Sequence, residues 1–169
     1  GCGTGKTHQT RGIMTREIAQ GGKILYLSAN KALDRNFNDG NRAYANRSGS
    51  FDAFWTSLSY QRLWGLRRDE FESIVNGAQI FTSTIESLWK HKDFLHRYSL
   101  VVVDEVRKHI TNIPCSTVRP KLKESLSLFR EILHQKKIIF LDANMTTSII
   151  RFLDTEGFGP QLETSLILN

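Results

Sequence analysis

The first seven residues, GCGTGKT, are of the types that hold a nucleotide phosphate chain. The phosphate-binding P-loop has the pattern G-x-x-x-x-G-K-[ST], and Gly5, Lys6 and Thr7 match its last three positions. Glycines let backbone N–H groups point at a phosphate, the lysine contacts the β and γ phosphates, and the hydroxyl binds Mg²⁺. A chance glycine-rich turn before a helix is the alternative. The candidate ATP-binding residues are Gly3, Thr4, Gly5, Lys6 and Thr7.

Two adjacent acids, Asp104 and Glu105, directly follow an apolar run in the segment LVVVDE. Unpaired carboxylates near a core are costly, so a strand that leads into two of them suggests a bound cation. Asp104 would hold Mg²⁺, and Glu105 would accept the proton of an attacking water. The alternative is an acidic helix N-terminus favoured by the helix dipole, which accounts for Glu105 better than for the pair. Together with Lys6, these acids are the candidate catalytic residues.

The elements that must position these residues are apolar, β-branched-rich runs separated by stretches of helical periodicity. The runs predict strands at 24–28, 79–83, 100–104, 138–142 and 165–168. Two of these runs are apolar on both faces, as in a parallel sheet covered by helices. Helices are predicted at 121–134 and after Thr7, Lys31, Thr84 and Thr146. The alternation predicts an α/β fold, in which helices flank a mainly parallel sheet.

Residues 36–76 are the part of the chain with the least regular pattern. Their first section, NDGNRAYANRSGS, is polar and rich in Gly and Asn, and it predicts a loop. Phe51, Phe54, Trp55 and Leu58 then follow at helical spacing. This spacing favours an amphipathic helix facing the core over a surface on which nucleic acid bases stack.

The composition is that of an ordinary globular protein. The 169 residues suffice for one domain, and 40% are hydrophobic and 24% charged. No run of about 18 apolar residues is present, so no membrane span is predicted. Two cysteines far apart favour a reducing, intracellular compartment, either cytoplasm or nucleus. The net charge of +6 fits a solvated surface or attraction to nucleic acid, with Arg67, Arg68 and residues 90–97 as the basic contact face.

Five segments occur in an order and spacing that resemble the first RecA-like motor domain of the replication-origin-binding helicases of superfamily 2. They are CGTGKT, ILYLSANKALDRNF, FTSTIESLWK, LVVVDEV and IIFLDANMT. That group includes the herpesvirus origin-binding protein and related plasmid and phage replication proteins. The resemblance implies a P-loop NTPase with ATP and Mg²⁺ as cofactors, which couples hydrolysis to single-stranded DNA. In the last segment it assigns Asp142 and Asn144 the coupling role that Ser-Ala-Thr has in many helicases.

The same resemblance implies contacts to nucleic acid at the ends of two strands. The residues concerned are Ser28, Asn30, Lys31, Thr82, Ser83, Thr84 and Ser87. Hydroxyls, amides and helix N-termini are common phosphate partners, although helix capping by Ser28 or Thr84 is the alternative. Two departures are evident. Lys31 stands where arginine is frequent, and DEVR lacks the histidine that links DEAH boxes to the coupling motif.

We therefore expect residues 1–169 to be a partial ATP-binding domain of a DNA helicase or translocase in replication initiation, beginning inside the P-loop. The resemblance implies that the strand before the loop would lie beside the strand ending in Asp104. It also implies a second RecA-like domain with an arginine finger, and further domains that bind duplex origin DNA. The isolated chain should then be poorly stable and slow to hydrolyse ATP. The alternatives are a non-hydrolysing P-loop switch or scaffold and an RNA-directed helicase.

Overall fold

The computed structural model describes residues 6–30, 32–33, 36–37, 57–59, 67–112, 120–142 and 146–155. In this part of the chain, five parallel strands form one sheet, and helices pack on both of its faces. The elements in chain order are α1 (Lys6–Ala19), β1 (Ile24–Ser28), β2 (Ser57–Ser59), α2 (Arg68–Gly77), β3 (Ile80–Thr84), the 3₁₀ helix η1 (Ile85–Arg97), β4 (Leu100–Asp104), α3 (Val106–Asn112), α4 (Pro120–Gln135), β5 (Lys137–Leu141) and α5 (Thr147–Thr155). The predicted α/β fold, a parallel sheet flanked by helices, is confirmed.

The strand order is β2-β3-β1-β4-β5, and every neighbouring pair is parallel. The register places Ser28 of β1 opposite Thr84 of β3, and Asp104 of β4 opposite Leu141 of β5. Because parallel strands point the same way, the residues at their carboxyl ends meet at one edge of the sheet. We call this the carboxyl edge, and it is where the predicted acids lie.

The sheet is buried on both faces, as its apolar strands require. β1 and β3 are buried throughout, and only Asp104 of β4 is partly exposed, whereas the edge strand β5 is half-buried. One face packs against η1, α4 and α5, with Leu25 and Phe81 at its centre. The other face packs against α1 through the fully buried Met14. These two layers leave β1 and β4 apolar up to their last residues except for Tyr26, whereas β3 buries the hydroxyls of Thr82 and Ser83.

Helix α1 crosses the sheet from the carboxyl edge to the amino edge. The chain leaves this helix at Gly21, whose φ of 80° is a conformation that glycine adopts without strain. At the same end, Glu17 contacts Lys137, the first residue of β5, at 3.3 Å between the charged atoms. A helix of 14 residues is about 21 Å long, enough to span the five-residue strands. Lys6, the first residue of α1, therefore lies at the carboxyl edge.

Helix η1 follows β3 and packs against α4, which confirms a helix after Thr84 but gives it the tighter 3₁₀ winding. The buried Ser125 of α4 joins the two helices. Its Oγ accepts a hydrogen bond from the Trp89 N–H at 3.0 Å and donates one to the Glu86 carbonyl at 3.2 Å. Among the described residues, none of the helices has the length and hydrophobicity that a bilayer crossing needs.

The aromatic segment differs from the prediction. Ser57–Ser59 forms β2 and pairs in parallel with β3, so the predicted amphipathic helix is wrong at Leu58. β2 forms because its backbone pairs with β3, a strand more than twenty residues away in sequence. The spacing of apolar residues within one segment gives no information about such a partner. The preceding residues 51–56 lie outside the described part of the chain, and so does the predicted strand at 165–168.

The remaining predicted elements agree with the structure except for the bounds of two strands. β3 and β5 are each displaced by one residue from the predicted 79–83 and 138–142. The helices at 121–134 and after Thr146 are confirmed, and residues 32–33 and 36–37 are helical as expected after Lys31. β4 pairs with β1 on one side and β5 on the other. The strand expected before the P-loop would precede residue 1, and its position beside the strand that ends in Asp104 stays a prediction.

Candidate functional site

The last two P-loop candidates, Lys6 and Thr7, form the start of α1 at the carboxyl edge. Gly3, Thr4 and Gly5 lie outside the described residues, and so do the side chains of Lys6 and Thr7. The backbone of Lys6 and Thr7 opens α1 at the carboxyl edge. A helix N-terminus carries unsatisfied N–H groups and a partial positive charge, which suit an anion. The structure thus brings this end of α1 to the same edge as the two acids.

Asp104 accepts a hydrogen bond from a residue of the neighbouring strand. The Tyr26 hydroxyl of β1 donates to the Oδ2 atom of Asp104 at 2.8 Å. Burial, followed by the Asp104 charge, raises the pKa of Tyr26 well above its usual range, so the phenol remains a donor at physiological pH. The ring stacks on Phe37 with its centroid 3.7 Å away and an interplanar angle of 18°. Asp104 is therefore a partly exposed carboxylate that one buried neighbour orients.

Glu105 has an unusual backbone conformation. Its φ is 54°, and no other non-glycine residue in the described ranges has a positive φ. This left-handed conformation costs a residue with a side chain about 1–2 kcal/mol. Such strain persists where the surrounding structure imposes it, and it clusters at functional sites. The Glu105 carboxylate forms an ion pair with Lys108 one turn further along the chain.

Asp142 joins the end of β5 to the start of α3. Its Oδ2 atom accepts a hydrogen bond from the backbone N–H of Arg107 at 2.8 Å. That N–H is one of the groups that a helix leaves unsatisfied in its first turn. Arg107 occupies the position of the DEAH histidine, and its backbone N–H connects the segment of Asp104 and Glu105 to Asp142, the predicted coupling residue. Asn144, the other coupling candidate, lies outside the described residues.

His109 is buried beneath the carboxyl edge with 7% of its surface exposed. Burial lowers its pKa to about 4, and the backbone groups of Asp104 and Leu27 act in the opposite direction. The negative charges of Glu105 and Asp142 also favour its protonated form. His109 is thus neutral at physiological pH, within electrostatic range of Glu105 and Asp142, the acids predicted from sequence for hydrolysis and coupling.

The nucleic-acid candidates divide into buried and accessible residues. Ser28 and Thr82 have no exposed surface, Ser83 has 3% and Thr84 has 9%. Thr84 precedes η1 without capping it, and its hydroxyl donates to the Ser87 hydroxyl at 3.3 Å. A strand of nucleic acid at this edge would reach Ser87 before the buried hydroxyls. The contact itself remains a prediction.

Asn30 is exposed and caps the short helix that follows β1. Its Oδ1 atom accepts hydrogen bonds from the N–H groups of Ala32 and Leu33, each at 3.0 Å. Helix capping by Ser28 or Thr84 was the alternative to their contact with nucleic acid. At the helix after β1 the cap is Asn30, whose side chain reaches the second and third helical N–H groups. Lys31 lies outside the described residues.

An aromatic and basic cluster lies on η1 and the start of α4. The Lys90 ammonium is 5.4 Å, and the Lys121 ammonium 4.3 Å, from the centre of the Trp89 ring. Lys90 belongs to the predicted basic face at 90–97, whereas Lys121 was not predicted. Both elements begin at the carboxyl edge, so these cations lie on the side of the sheet where nucleic acid contact is expected.

The donor set at this edge fits a magnesium ion held mainly by its nucleotide. Among the described residues, no group of three or more His, Cys, Asp or Glu side chains is arranged to hold a metal ion. Mg²⁺ in nucleotide sites usually takes one or two carboxylates, with phosphate oxygens and water as the other ligands. Asp104, at the same edge of the sheet as the start of α1, would be the one carboxylate ligand that such an ion needs.

Sequence reasoning missed Tyr26, Lys108 and His109. Tyr26 is the one aromatic residue in the strand ILYLS, and it lies on the same face as Asp104 because alternate strand residues share a face. Lys108 and His109 follow Glu105 at helical spacing, which places them near its side chain. These periodicities were visible, but pairing β1 with β4 required the sheet order.

No protein-family model matches the chain, and no curated protein is similar enough in sequence to match it.

Proposed function

We propose that this chain is an ATP-hydrolysing motor domain of a DNA helicase or translocase, in accordance with its resemblance to the origin-binding helicases. The observation that carries the proposal is the convergence of α1, Asp104, Glu105 and Asp142 at the carboxyl edge. β1 leads to strands on one side of the sheet, whereas β4 leads to β5 on the other side. Ligands of open α/β sheets bind outside the carboxyl ends at such a reversal of strand order. The hydrogen bond from Tyr26 of β1 to Asp104 of β4 lies at this reversal of strand order.

Each residue has a distinct role in the proposed reaction. The N-terminus of α1, with Lys6 and Thr7, would bind the phosphates, and Asp104 would hold Mg²⁺, which neutralises charge on the phosphates. Glu105 would orient water and accept its proton. For this step the Glu105 carboxylate must leave its ion pair with Lys108, which is partly exposed and therefore costs little to break.

Coupling of hydrolysis to DNA binding would use the hydrogen bond between Asp142 and the Arg107 N–H at the carboxyl edge. Asp142 holds the first turn of α3, which directly follows Glu105. A shift of β5 would therefore move the first turn of α3 and change the position of Glu105. Single-stranded DNA would cross near Asn30 and Ser87, with the cations around Trp89 attracting its phosphates.

The test is steady-state ATP hydrolysis by the full-length protein, with and without single-stranded DNA, for the wild type and Glu105→Gln. The matched control is Glu131→Gln, which changes an exposed glutamate on α4 in the same way. We expect DNA to stimulate ATP hydrolysis by the wild type and by the control. Glu105→Gln should hydrolyse ATP about 10²–10⁴-fold more slowly, because it lacks the general base.

Three results would contradict the proposal, each in a different part. Nucleotide binding without hydrolysis in the wild type would favour the switch or scaffold interpretation. Hydrolysis that RNA stimulates and DNA does not would favour an RNA-directed helicase. Full activity of Glu105→Gln would remove Glu105 from the reaction.

A further inference from the structure

We propose that Tyr26 is a positioning residue that holds the Asp104 carboxylate in the orientation needed to bind Mg²⁺. This inference rests on the proposed function, since it concerns the same site. It assigns a role to a residue of β1 that was not among the candidate site residues of the sequence analysis. The role is to act through Asp104, not to contact the nucleotide.

The geometry leaves Tyr26 little freedom. Only 3% of the residue is exposed, and the Phe37 ring stacks on it at 3.7 Å. On its other sides the ring lies in the core that Ile24 and Val102 form beneath α1. Because the ring is buried and stacked, its hydroxyl presents a donor to the Oδ2 atom of Asp104 from one direction, 2.8 Å away.

The register explains why the contact falls at the end of the strand. Tyr26 is level with Val102 of β4, and Asp104 is the next residue of β4 on the same face. The hydroxyl at the far end of the ring meets the carboxylate at the carboxyl edge. A phenylalanine at position 26 would fill the core equally well and would reach no further than the ring.

The simpler interpretation is that Asp104 only satisfies a buried phenol, as buried tyrosines usually require a partner. The two interpretations differ in what happens to metal binding. Hydrogen-bonding partners of carboxylate ligands orient them, and their loss typically costs about 10–100-fold in metal affinity or activity. A purely structural hydroxyl would change stability and leave the metal requirement unchanged.

The experiment measures binding of a fluorescent ATP analogue to the full-length protein, over a range of Mg²⁺ concentrations and in EDTA. Tyr26→Phe keeps the ring and removes the hydroxyl. The matched control is Tyr98→Phe, which removes a buried hydroxyl that has no hydrogen-bond partner among the described residues. We expect Tyr26→Phe to raise the Mg²⁺ concentration for half-maximal binding by about tenfold or more, with binding in EDTA unchanged. Tyr98→Phe should match the wild type.

Two further variants keep the inference open to refutation. In an Asp104→Asn background, Tyr26→Phe should add no further rise, because the effect passes through the carboxylate. Thermal unfolding shows whether each variant is folded. If Tyr26→Phe unfolds, Phe37→Leu loosens the ring while leaving the hydroxyl, and it should raise the Mg²⁺ requirement in the same direction.

An unchanged or lower Mg²⁺ requirement in a folded Tyr26→Phe or Phe37→Leu protein would overturn this inference alone. A wild type that binds no nucleotide in the presence of Mg²⁺ would overturn the proposed function, and this inference with it.

Discussion

Acidification should destabilise this fold through His91, a residue of η1 with no exposed surface. Its Nε2 atom lies 3.1 Å from the Ser83 Oγ atom, and its ring meets Phe81 edge-on with the centroids 4.7 Å apart. The Ser83 hydroxyl donates to the Thr84 carbonyl at 3.3 Å, which assigns the proton of this contact to Nε2 of a neutral imidazole. Burial, and secondarily the Lys90 charge, lower the pKa of His91 to about 3.

The magnitude follows from the difference between the folded and unfolded states. In the unfolded chain the pKa of His91 returns to about 6.5. Above that pH the residue is neutral in both states, and its full contribution to stability is present. As the pH falls from 6.5 towards 3, only the unfolded chain takes up the proton, so stability is lost. Between pH 7 and pH 5 this linkage removes about 2 kcal/mol, a large part of a typical folding free energy.

Urea unfolding at pH 7 and pH 5 measures this effect in the wild type, His91→Gln and His134→Gln. Glutamine at position 91 keeps a donor for Ser83 but binds no proton in this range. His134 is an exposed histidine of α4 and serves as the matched control. We expect the wild type and the control to lose about 2 kcal/mol more than His91→Gln on acidification. Burial also lowers the pKa of His109. The stability that His109 loses on acidification is the same in all three proteins, so it cancels in the comparison.

The reasoning would be refuted if His91→Gln lost as much stability on acidification as the wild type. A His91 imidazole that titrates near pH 6.5 in the folded protein, followed by NMR, would refute it as well. Either result would mean that η1 opens to water around this residue and that its burial is not maintained in solution.

The backbone strain and the cap at the carboxyl edge each give a further prediction. Glu105→Gly should abolish ATP hydrolysis but leave the protein as stable as the wild type, or up to about 1 kcal/mol more stable, since glycine adopts a φ of 54° without strain. Urea unfolding and ATPase assays on the same samples check this, and a loss above about 1 kcal/mol would contradict it. Asp142→Ala removes the acceptor of the Arg107 N–H and should cost about 1 kcal/mol in urea unfolding. The exposed Asp154→Ala on α5 should cost little, and equal losses in the two variants would show that the cap contributes nothing.

Local chemistry made part of this architecture predictable from sequence. β1 and β4 have the predicted bounds, because a short apolar, β-branched run between polar residues has few other stable arrangements. α4 follows from one apolar stripe at helical spacing after Pro120. The position of Asp104 and Glu105 at a strand end followed from the same run, and so did the parallel sheet that helices cover.

Tertiary structure alone decided which residues meet. The aromatic segment contributes β2, β4 is enclosed by β1 and β5, and Asp142 reaches the Arg107 N–H across 35 residues of sequence. The hydrogen bond from Tyr26 to Asp104 joins residues 78 positions apart. Strand order and register result from the packing of the whole sheet against its helices, and a periodicity read along one segment carries no information about its neighbour. The sequence by itself therefore determined the elements and the chemical types at their ends, and long-range pairing determined which of those groups act on one another.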